Sequence, residues 1–167
     1  HVAGPLPSTN IVSMSCSGGE ASLIADTAVG RRITFPPLVP AQRTALSEAL
    51  GPKVALANPL DYHTYIWGDG EAMTRCYTAM MQADIALGIV ILDIPRMDRC
   101  DPVDWLKVIE PVEAAMKASG KPMAILSSLP ETMPETFAAD LVKRGLLPLC
   151  GLDDALTAIE AAAFLAR

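Results

Sequence analysis

Residues 85–94 read Ile85-Ala86-Leu87-Gly88-Ile89-Val90-Ile91-Leu92-Asp93-Ile94, an apolar run whose core, Ile89-Val90-Ile91-Leu92, shows no alternation. A strand with one face in water alternates apolar and polar side chains, whereas one apolar at successive positions is covered on both faces. Doubly covered strands occur in parallel sheets sandwiched between helices. The run therefore predicts the central strand of a layered α/β domain.

The flanking segments supply the rest of such a domain. Upstream, Asn10–Cys16 reads as a first strand, and Ser17-Gly18-Gly19 turns the chain into a helix over Glu20–Val29. Phe35–Pro40 is too rich in proline for regular structure, but Pro40 suits the first turn of a helix over Ala41–Leu50, which Gly51-Pro52 ends. Val54–Ala57 predicts a short second strand. After a polar, aromatic loop over Asp61–Gly70, the apolar residues Ala72, Cys76, Ala79, Met80 and Ala83 recur at helical spacing.

Downstream, a helix opens at Pro102 and is kinked or split by Pro111, with Ser119-Gly120 as its stop. Met123–Leu126 predicts a fourth strand, Pro134–Arg144 a helix and Leu146–Cys150 a fifth strand that Pro148 marks as an edge. A last helix runs from Leu152 with Leu156, Ile159 and Ala163 facing inward. Right-handed crossovers then give a three-layer, flavodoxin-like fold. Its five-stranded, mainly parallel sheet has the order 2-1-3-4-5 and helices on both faces.

The 167 residues are expected to make a single domain, since an eight-stranded barrel needs ~250. With 51% hydrophobic and 19% charged residues, the chain is expected to be folded throughout. Thirteen Lys and Arg against 19 Asp and Glu give a net charge of −6, with no basic cluster, which disfavours nucleic acid as a partner. No run approaches the ~20 apolar residues of a membrane span. Cys16, Cys76, Cys100 and Cys150 lack metal-site spacing and are expected to be reduced, mostly buried thiols of a cytoplasmic protein. The sequence opens at His1 without Met, which suggests a processed chain, a tag residue or an excised piece of something longer.

In a doubly wound sheet, ligands approach the carboxyl ends of the strands, most of all between strands 1 and 3, where the order reverses. After strand 1, Gly18 and Gly19 permit positive φ and close approach, and a helix start aims free N–H groups at an anion. Ser17, Gly18 and Gly19 are thus candidate phosphoryl contacts, with Glu20 as a like charge beside them. The glycines match neither a Walker loop nor G-x-G-x-x-G, and many such turns carry Gly-Gly merely to turn the chain, which is the commoner reading of the pair taken alone. After strand 2, Asn58 and Asp61 are candidate loop latches. Tyr62, Tyr65 and Trp67 are expected to form an exposed aromatic cluster suited to an interface, including that of a homodimer, and His63 is expected to be a solvent-exposed loop residue.

A local likeness to a receiver domain sits after strand 3, where Ile91-Leu92-Asp93 would be the phospho-acceptor strand and Ser127-Ser128 the hydroxyl position. The acidic pair after strand 1 and the lysine after strand 5 that receiver chemistry requires are replaced by Cys16-Ser17 and Cys150-Gly151. A stand-alone receiver-like or flavodoxin-like binding module is the alternative reading.

A broader resemblance covers nearly the whole chain. Ser17-Gly18-Gly19-Glu20-Ala21 before a helix, the joint at Phe35–Pro40, and Ala57-Asn58-Pro59-Leu60-Asp61 resemble the last flavodoxin-like subdomain of NDP-forming acyl-CoA synthetases. These are the ADP-forming acetyl-CoA synthetases and the related succinyl-CoA synthetases. Asp93-Ile94-Pro95 stands where that family has a Thr-Pro-Gln-like turn, and Arg99-Cys100-Asp101 is similar to an Arg-Cys-Asp in the carboxyl domain of the succinyl-CoA synthetase β subunit.

The resemblance implies an acid–thiol ligase that interconverts acyl-CoA, NDP and phosphate with acid, CoA and NTP through a phosphohistidine. The implied partners are a CoA-binding domain, a phosphohistidine-bearing domain and an ATP-grasp domain. CoA, ATP or ADP, and Mg²⁺ are implied for the complete enzyme, with no cofactor, metal or catalytic residue in this chain. Helix N-termini near Gly18-Gly19 or beside Arg99 are the implied phosphoryl cradle. Pro95-Arg96-Met97 replaces the paired glycines that precede Arg-Cys-Asp in the succinyl enzyme, and no Ser-His-Thr-Gly-like motif surrounds His63. The isolated chain is expected to be inactive.

Overall fold

The computed structural model describes residues 2–166. Five strands, β1 (Ile11–Ser15), β2 (Leu60–Asp61), β3 (Leu87–Ile91), β4 (Met123–Ser127) and β5 (Leu147–Cys150), form one all-parallel sheet in the order β2-β1-β3-β4-β5. Every residue of β1, β3 and β4 is buried, as the unalternated apolar runs require. The helices are α1 (Gly18–Thr27), α2 (Pro40–Leu50), α3 (Gly70–Met80), α4 (Val103–Leu106), α5 (Ile109–Ser119), α6 (Glu135–Lys143) and α7 (Leu152–Phe164). Ile24 of α1 and Leu152, Leu156 and Ile159 of α7 cover one sheet face, while α2, α3, α5 and α6 cover the other. Among the described residues, no helix is long and apolar enough to cross a membrane.

Local chemistry explains most boundaries. Pro40 occupies the first turn of α2 and Gly51, at φ 72°, ends it. Pro111 divides the expected single helix into α4 and α5 and sits in the first turn of α5, where its missing N–H has no partner to lose. Pro148 lies in β5 at the edge of the sheet. Asp69 caps α3, its Oδ1 accepting from Ala72 N at 3.0 Å.

Three expectations are corrected. The second strand is Leu60–Asp61, not Val54–Ala57. At the position opposite Val12, the side-chain amide of Asn58 stands where a strand backbone would: Nδ2 donates to the Ile11 carbonyl (3.0 Å) and Oδ1 accepts from Ser13 N–H (3.2 Å). Those are the two bonds a parallel neighbour makes, so β1 is already paired before backbone pairing starts at Met14 with Leu60. Ala83 lies beyond the end of α3, exposed and at φ 65°. Of the cysteines only Cys76 is buried; Cys16 is half-buried, and Cys100 and Cys150, on a loop and at the tip of the edge strand, are exposed.

Candidate functional site

The carboxyl ends of β1 and β3 and the segments that follow them meet where the strand order reverses. Ser15 closes β1 with its hydroxyl donating to the Ser17 carbonyl at 2.8 Å, and α1 begins at once with Gly18. Gly18 and Gly19 are helical residues, neither at positive φ, contrary to expectation. What the missing side chain permits at Gly18 is close approach: a Cβ there would lie 3.1 Å from Asp61 Oδ2. Arginine and lysine are absent from this turn; its neighbours are carboxylates.

Glu20, Asp61 and Asp93 converge on the site from α1, β2 and the end of β3. Burial, then the charges of Asp93 and Asp61, push the Glu20 carboxyl up to about 7, and its Oε2 is buried with no hydrogen-bond partner. Asp61 Oδ1 accepts from His63 N–H at 2.8 Å, an Asx turn that holds His63 at φ 56°, and Oδ2 lies 3.6 Å from His63 Nδ1. The Asp93 carboxylate accepts from Ser128 N–H (2.8 Å) and from the hydroxyls of Ser128 and Thr132, which tie the β3 and β4 ends together. Burial, Glu20 and Asp61 also push the Cys16 thiol up to about 11, so it is protonated at neutral pH. Among the described residues, no three His, Cys, Asp or Glu side chains come together to hold a metal ion.

Beside this cluster opens a cleft of about 450 Å³ lined by Cys16, Thr64, Trp67, Asp104 and Trp105. Cys16 follows β1, Thr64 and Trp67 belong to the β2–α3 loop, and Asp104 and Trp105 to α4. Both indoles are half-buried and rest on the core. A larger groove of about 770 Å³ lies between the first turns of α3 and α5, where Glu71 pairs with Arg75 across one helical turn.

The other candidates are distributed differently. Asn58 also donates to the Pro36 carbonyl at 3.1 Å, fastening the proline-rich joint to β1. Arg99 is about three-quarters exposed on the β3–α4 loop with its Nε 3.6 Å from Asp98, and Arg96 pairs with the same carboxylate. Tyr62 is corrected: it is fully buried, and its hydroxyl accepts from that of Tyr77. It extends the inward alternation of Leu60 beyond β2, with its N–H donating to the Ser15 carbonyl at 2.9 Å. Of the expected aromatic cluster only Tyr65 is exposed, at 61%, stacked on His63 with centroids 5.2 Å apart; the His63 side chain is 42% exposed. Sequence reasoning passed over Trp105, whose one signal was being the second of only two tryptophans in the chain.

The fold is shared with parts of larger proteins. PH0766 from Pyrococcus horikoshii OT3 superposes with a TM-score of 0.76 at 21% identity, covering 97% of this chain and 37% of that one. The dinucleotide-forming acetyl-coenzyme A synthetase 1 of Ca. Korarchaeum cryptofilum superposes with a TM-score of 0.68 at 19% identity, covering 98% of this chain and 35% of that one. It does so both in its apo form and in complex with phosphate and ADP. The chain thus spans little more than a third of the solved structures it matches. No family model and no curated protein matches the sequence.

Proposed function

We propose that this chain is a domain of an NDP-forming acyl-CoA synthetase, working with CoA-binding, phosphohistidine-bearing and ATP-grasp domains rather than alone. The observation that carries the reading is the superposition of 97–98% of the chain on about a third of two larger proteins, one of them an acetyl-coenzyme A synthetase. On this reading CoA, ATP or ADP, and Mg²⁺ are held by the other domains. This chain contributes a rigid sheet and the first turn of α1.

Ser17, Gly18 and Gly19 are the proposed phosphoryl contacts. The N–H groups of Gly18 and Gly19 lie in the first helical turn, and such groups have no intrahelical acceptor. Glu20 follows them in the same turn. Its raised affinity for a proton removes, in the neutral form, the nearest charge that would repel an anion. Arg99, paired with Asp98 in this chain, remains a second candidate. The receiver alternative is disfavoured by Asp93, whose carboxylate is occupied by three donors from Ser128 and Thr132.

The test is to isolate the native assembly through an affinity tag on this chain and to measure ATP formation from ADP, phosphate and acetyl-CoA. The account expects thioester-dependent ATP formation by the assembly and none by the 167 residues alone. An assembly that makes no nucleotide from any of a panel of short acyl-CoA substrates contradicts it.

A further inference from the structure

Both tryptophans of the chain line one cleft, although they come from separate elements. Trp67 lies on the β2–α3 loop and Trp105 on α4, on either side of Cys16 at the end of β1. Among the described residues, no Lys, Arg or His lines the cleft, while Asp104 does. The Asp61 carboxylate extends its field to the cleft wall, since it acts on the Cys16 thiol. That thiol stays protonated, so it serves as apolar wall rather than as a nucleophile. Indole faces attract cations, and a neighbouring carboxylate adds to that attraction.

Between the two cationic side chains, the chemistry favours guanidinium. It is planar, stacks on aromatic faces, sheds water more readily than ammonium and bonds a carboxylate through a fork of donors. Asp104 is held by Lys107 Nζ at 2.6 Å, but both groups are more than half exposed, and such a pair yields to a better-matched donor. The surroundings point to a cation carried on protein. Tyr65, on the loop that carries Trp67, is 61% exposed, and Val103 and Leu106, which flank Asp104 and Trp105 on α4 and line a neighbouring groove, are 52% and 42% exposed. A free ion leaves these apolar side chains in water, and a polypeptide that continues from the cleft into the neighbouring groove covers them.

We propose that the cleft between Trp67 and Trp105 receives an arginine side chain of a partner polypeptide, its guanidinium against the indoles and beside the Asp104 carboxylate. The inference is independent of the larger assembly in which the chain works.

Because no other tryptophan exists in the chain, tryptophan fluorescence, excited selectively over tyrosine, reports on this cleft alone. The 167-residue protein is titrated with acetyl-Gly-Arg-Gly-amide and with the same peptide carrying citrulline or lysine in place of arginine. The expected result is a saturable change with the arginine peptide, with binding at least about tenfold weaker for the neutral citrulline peptide and weaker also for lysine. Asp104→Asn, at an exposed position, is expected to keep the far-ultraviolet circular dichroism and to weaken arginine binding roughly threefold, as does added salt. Citrulline or lysine binding as tightly as arginine, an Asp104→Asn variant that binds like the parent, or no saturable change up to about 50 mM peptide each overturns the proposal.

Discussion

The hydroxyl of Tyr77 donates to that of Tyr62 at 3.1 Å inside the core, with the rings edge to face and their centroids 5.6 Å apart. Burial pushes both phenols far above their ordinary titration range, so each is a neutral donor and acceptor that has left water. Replacing one partner strands the other. Tyr62→Phe and Tyr77→Phe are each expected to cost about 1–2 kcal/mol in urea unfolding, and the double variant less than the sum of the two.

Asn58, half-buried, presents a second polar arrangement on which the sheet depends. Its amide makes three hydrogen bonds, two to β1 and one to the proline-rich joint. Asn58→Ala is expected to destabilise the protein by about 3 kcal/mol and to speed hydrogen exchange at the Ser13 amide. Asn58→Asp keeps the acceptor for Ser13 but sets a carboxylate oxygen against two carbonyls, so it is expected to be at least as damaging.

Gly88 lies in the middle of β3, where a Cβ would overlap the Sδ of Met81 and sit 3.2 Å from the Cε of Met123. Met81 and Met123 are themselves buried, which leaves little room to yield. Gly88→Ala is expected to lower stability by about 1–3 kcal/mol, and Met81→Ala in the same chain to recover part of the loss. Thermal unfolding of the parent and the two variants checks this.

Glu20 makes stability depend on pH in a defined direction. Its carboxyl titrates at about 7 when folded against 4.5 ordinarily, so between those values the folded state binds more protons than the unfolded one. Stability contributed by the protonated form is complete below about 4.5 and lost as the pH rises through 7. Glu20→Gln is expected to flatten this fall and to exceed the parent by ~1 kcal/mol at pH 8, allowing for solvent screening of a partly exposed group. Urea titrations of both proteins at pH 5 and pH 8 test the sign.

The architecture was legible because it rests on short-range patterns. Unalternated strands at Ile89–Leu92 and Met123–Leu126, prolines at 40, 111 and 148 and the glycine stops fix the element order, and handedness fixes the sheet. Val54–Ala57 misled because its apolar residues look like a strand, while the ladder position they would fill is taken by a side chain, that of Asn58. Tyr62 misled because its sequence neighbours Asp61 and His63 are polar; its two-residue offset from Leu60 was the signal of an inward-facing position. Glu20, Asp61 and Asp93 are each visible in the sequence, but their convergence is a product of topology across more than 70 positions. The cleft escaped for the same reason, since Trp67 and Trp105 share nothing local.

The central claim is that the first turn of α1 serves phosphoryl transfer in a larger synthetase. Acid-labile phosphohistidine in the native assembly, formed from ATP and Mg²⁺, measures it with parent chain and with Gly18→Val, whose side chain would crowd Asp61. A drop of about tenfold or more with the fold intact by circular dichroism is the predicted result. Undiminished phosphohistidine in the variant assembly contradicts the claim and reduces Gly18-Gly19 to a helix start.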